Sequence, residues 1–312
     1  MKTRSFILLL VIIQTLTIAQ DFKKTATAGF VFLQLPVTAR GAALGESSVS
    51  LADMGVSSVF SNPAGMGFND KQHSFTASYS PWIAEIKHYA AAYSYNTDFG
   101  VFALSAVAVD YGTMQKTKRT TGQKVYDVLG SFSANAMALG LSYSRALTDK
   151  FSFGLTVKYV REGIDNYAAT NVLFDGGVLY YTGLGSLRIG ASIQNFGVET
   201  KYINDPFKMP SVLKLGMASE LVGNMQSEIR VTGIVEALHP NDGDERLNAG
   251  LEVGWKNMVM LRGGYKFFYD EETWSLGVGV TPSTQIPVGV DFSYADYGRL
   301  GNILRFTLNL NY

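Results

Sequence analysis

The sequence predicts an all-β chain: a transmembrane antiparallel β-barrel of about fourteen strands with a small N-terminal plug, or hatch, segment. Three observations predict it. Apolar residues recur at every second position in segment after segment beyond residue 70, and no stretch there is apolar for the 18 or so residues that a helical span needs. Tight and long connections alternate along the chain. The alternate face of each segment is Gly, Ser and Ala with isolated charges, where a water-soluble sheet would be densely charged.

The N-terminus comes first. Lys2 and Arg4 precede an apolar run from Phe6 to Ile13 and from Leu16 to Ala19, the layout of a secretory signal with cleavage after Ala19. The run is too short for a spanning helix. The chain therefore divides into a signal peptide (1–19), a plug (20–70) and a barrel (71–312).

The plug segment does not alternate. It is dense in Gly, Ala and Ser, broken at Pro36 and Pro63, with one short helix expected over Thr38 to Leu44. Small side chains let a folded segment pack inside a pore whose wall satisfies its backbone. Phe30, Phe32, Leu33, Leu35, Val49, Leu51, Val56, Val59 and Phe60 are too much apolar surface for a solvated tether. Arg40, Asp53 and Asn62, with Pro63 and Ala64, are the plug's candidate structural residues, and the polar ones are expected to pair with lumen groups rather than perform chemistry.

Strand-like segments fall near residues 73, 88, 99, 131, 151, 171, 186, 211, 227, 246, 258, 273, 287 and 302. In the segment from Phe151, one face carries Phe153, Leu155, Val157 and Tyr159 and the other Ser152, Gly154, Thr156 and Lys158. Tyr95, Tyr159, Trp255, Tyr265, Trp274 and Tyr294 lie on apolar faces toward strand ends, as an aromatic girdle would. The connections at Thr97-Asp98, Thr148 to Lys150, Gly185 and Asn257 are short. Those at Gly112 to Gly130, Gly163 to Thr170, Val198 to Pro210 and Leu238 to Glu245 are long and are expected to be outer loops. An even strand number puts both termini on the periplasmic side of an outer membrane.

Lys158, Arg188, Lys214, Glu220, Arg230, Glu236, Glu252, Arg262, Lys266, Asp291 and Arg305 all fall on the inferred lumen face, where mutual neutralisation is expected. The chain ends in a strand with Phe306, Leu308, Leu310 and the terminal Tyr312 on one face. This resembles the C-terminal signal read by barrel-assembly machinery, an expected partner along with outer-membrane lipid.

Composition excludes several functions. Charged residues are 17% of the chain and cancel to +0, which leaves no basic footprint for nucleic acid. Cys 0 removes disulfides, thiolate metal sites and cysteine nucleophiles. His73, His88 and His239 show no metal-ligand spacing and no partner nucleophile, so neither an enzyme, a cofactor nor a metal is expected. The loop from His239 to Glu245 offers oxygen ligands at Asn241, Asp242, Asp244 and Glu245, but without the spacing of a calcium loop it reads as a solvated turn.

The stretch FLQLPVTARGAALGESSVSLAD, followed by Ser61-Asn62-Pro63-Ala64-Gly65-Met66, resembles the N-terminal signature of the PorV/PorQ family of outer-membrane proteins. Gly264-Tyr265-Lys266-Phe267, Leu276-Gly277-Val278-Gly279 and the run Tyr294 to Asn302 before Arg305-Phe306 are similar to its closing motifs. Leu304 stands where many members have histidine. The family is related to FadL-type barrels, which have fourteen strands, an N-terminal hatch and an Asn-Pro-Ala motif, matched here by Asn62, Pro63 and Ala64. The resemblance implies a role in type IX secretion, with secreted cargo or secretion components as partners at outer loops bearing Tyr126, Tyr202 and Phe207. The alternative it implies is a FadL-like transporter of hydrophobic small molecules.

Overall fold

Period-two alternation becomes a closed wall. In the computed structural model, which describes residues 27–121, 125–224, 226–282 and 288–312, fourteen antiparallel strands form one barrel. The expected signal peptide lies outside the described residues. The first half of the wall comprises β1 (His73–Pro81), β2 (Lys87–Thr97), β3 (Gly100–Arg119), β4 (Tyr126–Ala146), β5 (Phe151–Ile164), β6 (Tyr167–Tyr181) and β7 (Arg188–Phe196). After a two-stranded hairpin of β8 (Thr200–Lys201) and β9 (Pro206–Phe207), the wall resumes with β10 (Val212–Val222) and β11 (Ile229–Pro240). It is completed by β12 (Arg246–Trp255), β13 (Val259–Phe267), β14 (Trp274–Val280), β15 (Val288–Asp296) and β16 (Asn302–Asn311). Pairing of β1 with β16 from Ser74↔Asn311 to Tyr79↔Phe306 closes the ring.

The faces sort as in a membrane barrel. Along β5, Leu155, Val157 and Tyr159 are exposed on the outside while Ser152 and Thr156 are buried in the lumen. Tyr95, Trp255, Tyr265 and Trp274 are likewise exposed on the outer face. Such an exterior is stable only against hydrocarbon, because in water it would leave an unbroken apolar band.

One expectation needs correction. The segments from Gly112 to Gly130 and from Gly163 to Thr170 are not open loops: β3 and β4 continue for 20 and 21 residues, about twice a tilted span, and β5 and β6 meet at a tight turn between Ile164 and Tyr167. Register shifts at Asp110/Thr113 and Lys116/Thr117 let the ribbon bend, and Gly112 (φ 76°) supplies the left-handed backbone that most residues resist. Tyr312 exchanges backbone hydrogen bonds with His73 at the short-turn rim, whereas Gly29 donates to the Lys208 carbonyl (3.0 Å) at the opposite, long-loop rim. The even strand count fixes where β1 begins and β16 ends, but it does not constrain a plug that crosses the lumen before joining β1.

Candidate functional site: the plugged lumen

The plug descends from the long-loop rim to the short-turn rim as four short helical turns. These are 3-10 turns at Val31–Gln34, Gly55–Phe60 and Pro63–Phe68, and the helix α1 (Ala39–Ala43). Its elements are short because Pro, Gly and Ser interrupt them, and Thr38 caps α1 by accepting from the Gly41 N–H at 3.2 Å. Elements this short leave many backbone groups unpaired, and the barrel wall supplies partners. Ala39 N donates to Thr307 Oγ1 (2.8 Å), Ser275 Oγ donates to the Ala43 carbonyl (3.1 Å), and Ser152 Oγ to the Ala64 carbonyl (2.8 Å). The serine-rich lumen face therefore replaces the solvent that a free segment would need.

Close approach has a steric requirement. A Cβ added at Gly250 on β12 would sit 2.8 Å from the Leu44 carbonyl oxygen, so the wall must be bare where the plug backbone touches it.

Asn62 fastens the lower half of the plug. Its Nδ2 donates to the carbonyls of Val49 (2.7 Å) and Val178 (3.0 Å), joining two plug turns to β6, while Oδ1 accepts from Ala64 N (3.1 Å). Pro63 opens the following turn, where a missing N–H costs nothing.

Arg40 and Asp53 belong to a six-member ion network. Glu252 is its hub, taking Arg40 at 2.9 Å, Arg230 at 3.0 Å and Arg262 at 2.6 Å. Arg40 also reaches Asp53 (3.0 Å), Arg230 reaches Asp53 (3.4 Å), and Arg262 reaches Asp291 (2.5 Å). Three guanidinium groups thus meet three carboxylates, with two members from the plug and four from the wall. A neutral, closed set is the arrangement in which charges tolerate burial.

The remaining lumen charges form separate clamps. Arg188 pairs with Glu220 (2.9 Å) and donates to the Ser50 carbonyl (3.1 Å). Lys158 pairs with Asp175 (2.8 Å). Glu236 accepts from the N–H groups of Ser48 (2.7 Å) and Val49 (2.9 Å), with Lys214 4.0 Å away. Lys266 holds both Glu46 of the plug and Glu272. Arg305 joins no ion pair among the described residues; its guanidinium lies over the Trp82 ring, 5.6 Å from the centroid. Phe306 and Leu308 are exposed on the outer face of β16, and Tyr312 is exposed at the rim.

Sequence reasoning missed Glu46, Asp175 and Glu272. Asp175 lies where the β6–β7 register shifts, and it accepts from the N–H of Asn195 (2.7 Å), whose backbone is left-handed. Its lumen-facing neighbours Leu173 and Leu179 on the same strand are apolar, which blurs the polar face that would have flagged it. Glu46 is also left-handed (φ 65°), on a turn with no period to read.

Near the long-loop rim the lumen face turns apolar. Phe30 and Phe32 are buried against Val109, Ala136, Ala138, Val160, Leu173 and Met209. Tyr202 and Phe207, expected as outer contacts, turn inward onto this cluster; Phe207 lies 5.7 Å from Phe30 and 5.3 Å from Tyr202. The loop from Phe196 to Val212 must fold over the mouth because β7 stops short, so its aromatics find the buried phenyl rings before any partner. Tyr126 remains exposed.

Two larger cavities flank the plug. One of about 260 Å³ lies toward the long-loop rim, between the plug and the upper ends of β10 to β12. The other, of about 280 Å³, lies toward the short-turn rim, beside the ion network. Among the described residues no group of three or more His, Asp or Glu side chains could hold a metal ion.

Fold and lumen together define a fourteen-stranded, plugged β-barrel of the outer-membrane type. Among solved structures it is similar in fold to the toluene transporter TbuX of Ralstonia pickettii (TM-score 0.60, 14% identity, 88% of this chain and 96% of that one). The toluene transporter TodX of Pseudomonas putida gives 0.59 at 14% identity, covering 88% and 96%. The monoaromatic hydrocarbon channel CymD gives 0.60 at 11% identity, covering 91% and 97%. No family model matches the chain, and no curated protein matches it in sequence.

Proposed function

We propose that this chain is an outer-membrane passage for small hydrophobic molecules, closed by its plug. The observation that carries the reading is the apolar compartment at the long-loop rim, since a lumen built only to neutralise charges has no use for one. The chain's own Phe30 and Phe32 fill it, so a hydrophobic solute would enter by displacing them. The fold shared with proteins described as toluene transporters and a monoaromatic hydrocarbon channel adds support. The short-turn rim is placed in the periplasm, which puts Thr27 toward the cell exterior, and the β16 strand is the segment offered to barrel-assembly machinery.

The test is uptake of radiolabelled toluene by cells with and without the gene, together with binding of an aromatic fluorophore to the purified barrel. Phe30→Ala should increase dye binding by emptying the compartment. Equal uptake in both strains, with no dye bound by either form, would rule the reading out.

A second reading, service to type IX secretion, is supported by the ribbon formed by the outer halves of β3 and β4. That ribbon exposes Val125, Tyr126, Val128 and Leu129. Removing residues 112–130 should then abolish capture of secreted cargo, and cargo retained at wild-type level would exclude it.

A further inference from the structure

The two cavities beside the plug open toward opposite rims. Val31 and Pro240 line the first, near the long-loop rim, and Asn257 and Asn311 line the second, near the short turns. They share three lining residues, Thr38, Met54 and Ser57. These three residues therefore border both cavities and form the partition between them.

The three differ in freedom. Thr38 Oγ1 accepts from Gly41 N at 3.2 Å, so moving it uncaps α1. Ser57 Oγ lies 3.1 Å from Thr76 Oγ1 and 3.3 Å from Asn309 Oδ1. Met54 has no polar anchor. It rests on Leu44, Leu51, Ala218 and Ile234, and its unbranched thioether can change rotamer without breaking a hydrogen bond.

We infer that Met54 is a single-residue gate on an aqueous path for small ions and polar solutes along this side of the plug. The path is distinct from the apolar compartment, so it holds whether or not hydrocarbons pass. Both cavities carry polar lining, and the charges of the inner one are mutually paired. A charge-balanced lining gives water-filled vestibules with little preference between cations and anions, and the thioether between them is the dewetted constriction.

Single-channel recording of the full-length barrel in planar bilayers, with KCl as the only solute, tests this. Met54→Gly should raise conductance at least about tenfold over wild type, with near-equal permeability to K⁺ and Cl⁻, and Met54→Trp should not raise it. Met66→Ala is the control, because Met66 is also buried in the plug but lines neither cavity. The native chain has Cys 0, so Met54→Cys creates one thiol, and a charged methanethiosulfonate should react with it from either chamber. Heat-modifiable migration verifies that each variant is folded. The inference is overturned if folded Met54→Gly conducts like wild type, if Met66→Ala conducts as much as Met54→Gly, or if the thiol is unreactive from either side.

Discussion

Replacing Glu252 by Gln removes one negative charge and almost no volume from the hub of the ion network. Three guanidinium groups approach this carboxylate at 2.9, 3.0 and 2.6 Å, and its side chain is 1% exposed. In the variant Asp53 and Asp291 face Arg40, Arg230 and Arg262, leaving one buried positive charge uncompensated. Breaking a buried pair in this way costs about 3–5 kcal/mol. The cost falls on the junction between plug and wall, because backbone ladders hold β12 to its neighbours whatever the charge. At about 1.4 kcal/mol per tenfold, local opening of the plug should rise roughly a hundred- to several-thousand-fold. Hydrogen exchange read by mass spectrometry would show lost protection in residues 38–60 and unchanged protection in β12. Pairing Glu252→Gln with Arg230→Gln restores the charge balance and should recover part of the protection. Unchanged exchange in residues 38–60 of the single variant would refute the reasoning, as would equal loss throughout the barrel.

Three further outcomes follow from the same geometry. Asn62→Ala leaves two plug and wall carbonyls and one N–H without their partner; at about 1–3 kcal/mol for an unsatisfied buried group, protease should cut residues 49–64 in the variant while sparing the barrel. Gly250→Val thrusts side-chain atoms at the Leu44 carbonyl, an overpacking cost of about 1–3 kcal/mol, so the plug should fray with the barrel still heat-modifiable; an intact plug would contradict the contact. Hydrogen bonds from the side chain and N–H of Arg299 hold the Glu271 carboxyl below its ordinary value of 4.5, so this contact stabilises the long-rim loops above that value and fades as pH falls through the lowered one. Arg299→Ala should therefore make the loop at residues 268–273 protease-sensitive at neutral pH as well as in acid, and identical pH profiles for both proteins would dismiss the contact.

Much of the wall was legible because a strand's period is local. Ser152 and Thr156 fall inward and Leu155 and Val157 outward for a reason contained in a few consecutive residues, and each of the fourteen segments read from the sequence matches a barrel strand. The short helix expected at Thr38 to Leu44 forms as α1 with Thr38 as its cap. Legibility failed where the period slips. Bulges carried β3 and β4 far beyond the expected strand ends, and Asp175 was hidden because its lumen-facing neighbours Leu173 and Leu179 are apolar. Tyr202 and Phe207 read as outer contacts because polarity and loop length cannot show that a loop folds back over the mouth onto Phe30.

The sequence by itself determined that this chain must sit in a membrane as a barrel, since its apolar residues alternate with small and charged ones that have nowhere else to go. It also determined that the plug must be packed, because Phe30, Phe32 and their neighbours could not remain in water. Only the tertiary structure decided which charges meet, where the plug enters, and which cavities Met54 separates. Those facts depend on pairs such as Arg40 and Glu252, 212 residues apart, which are brought together by the closure of the ring and by no local pattern.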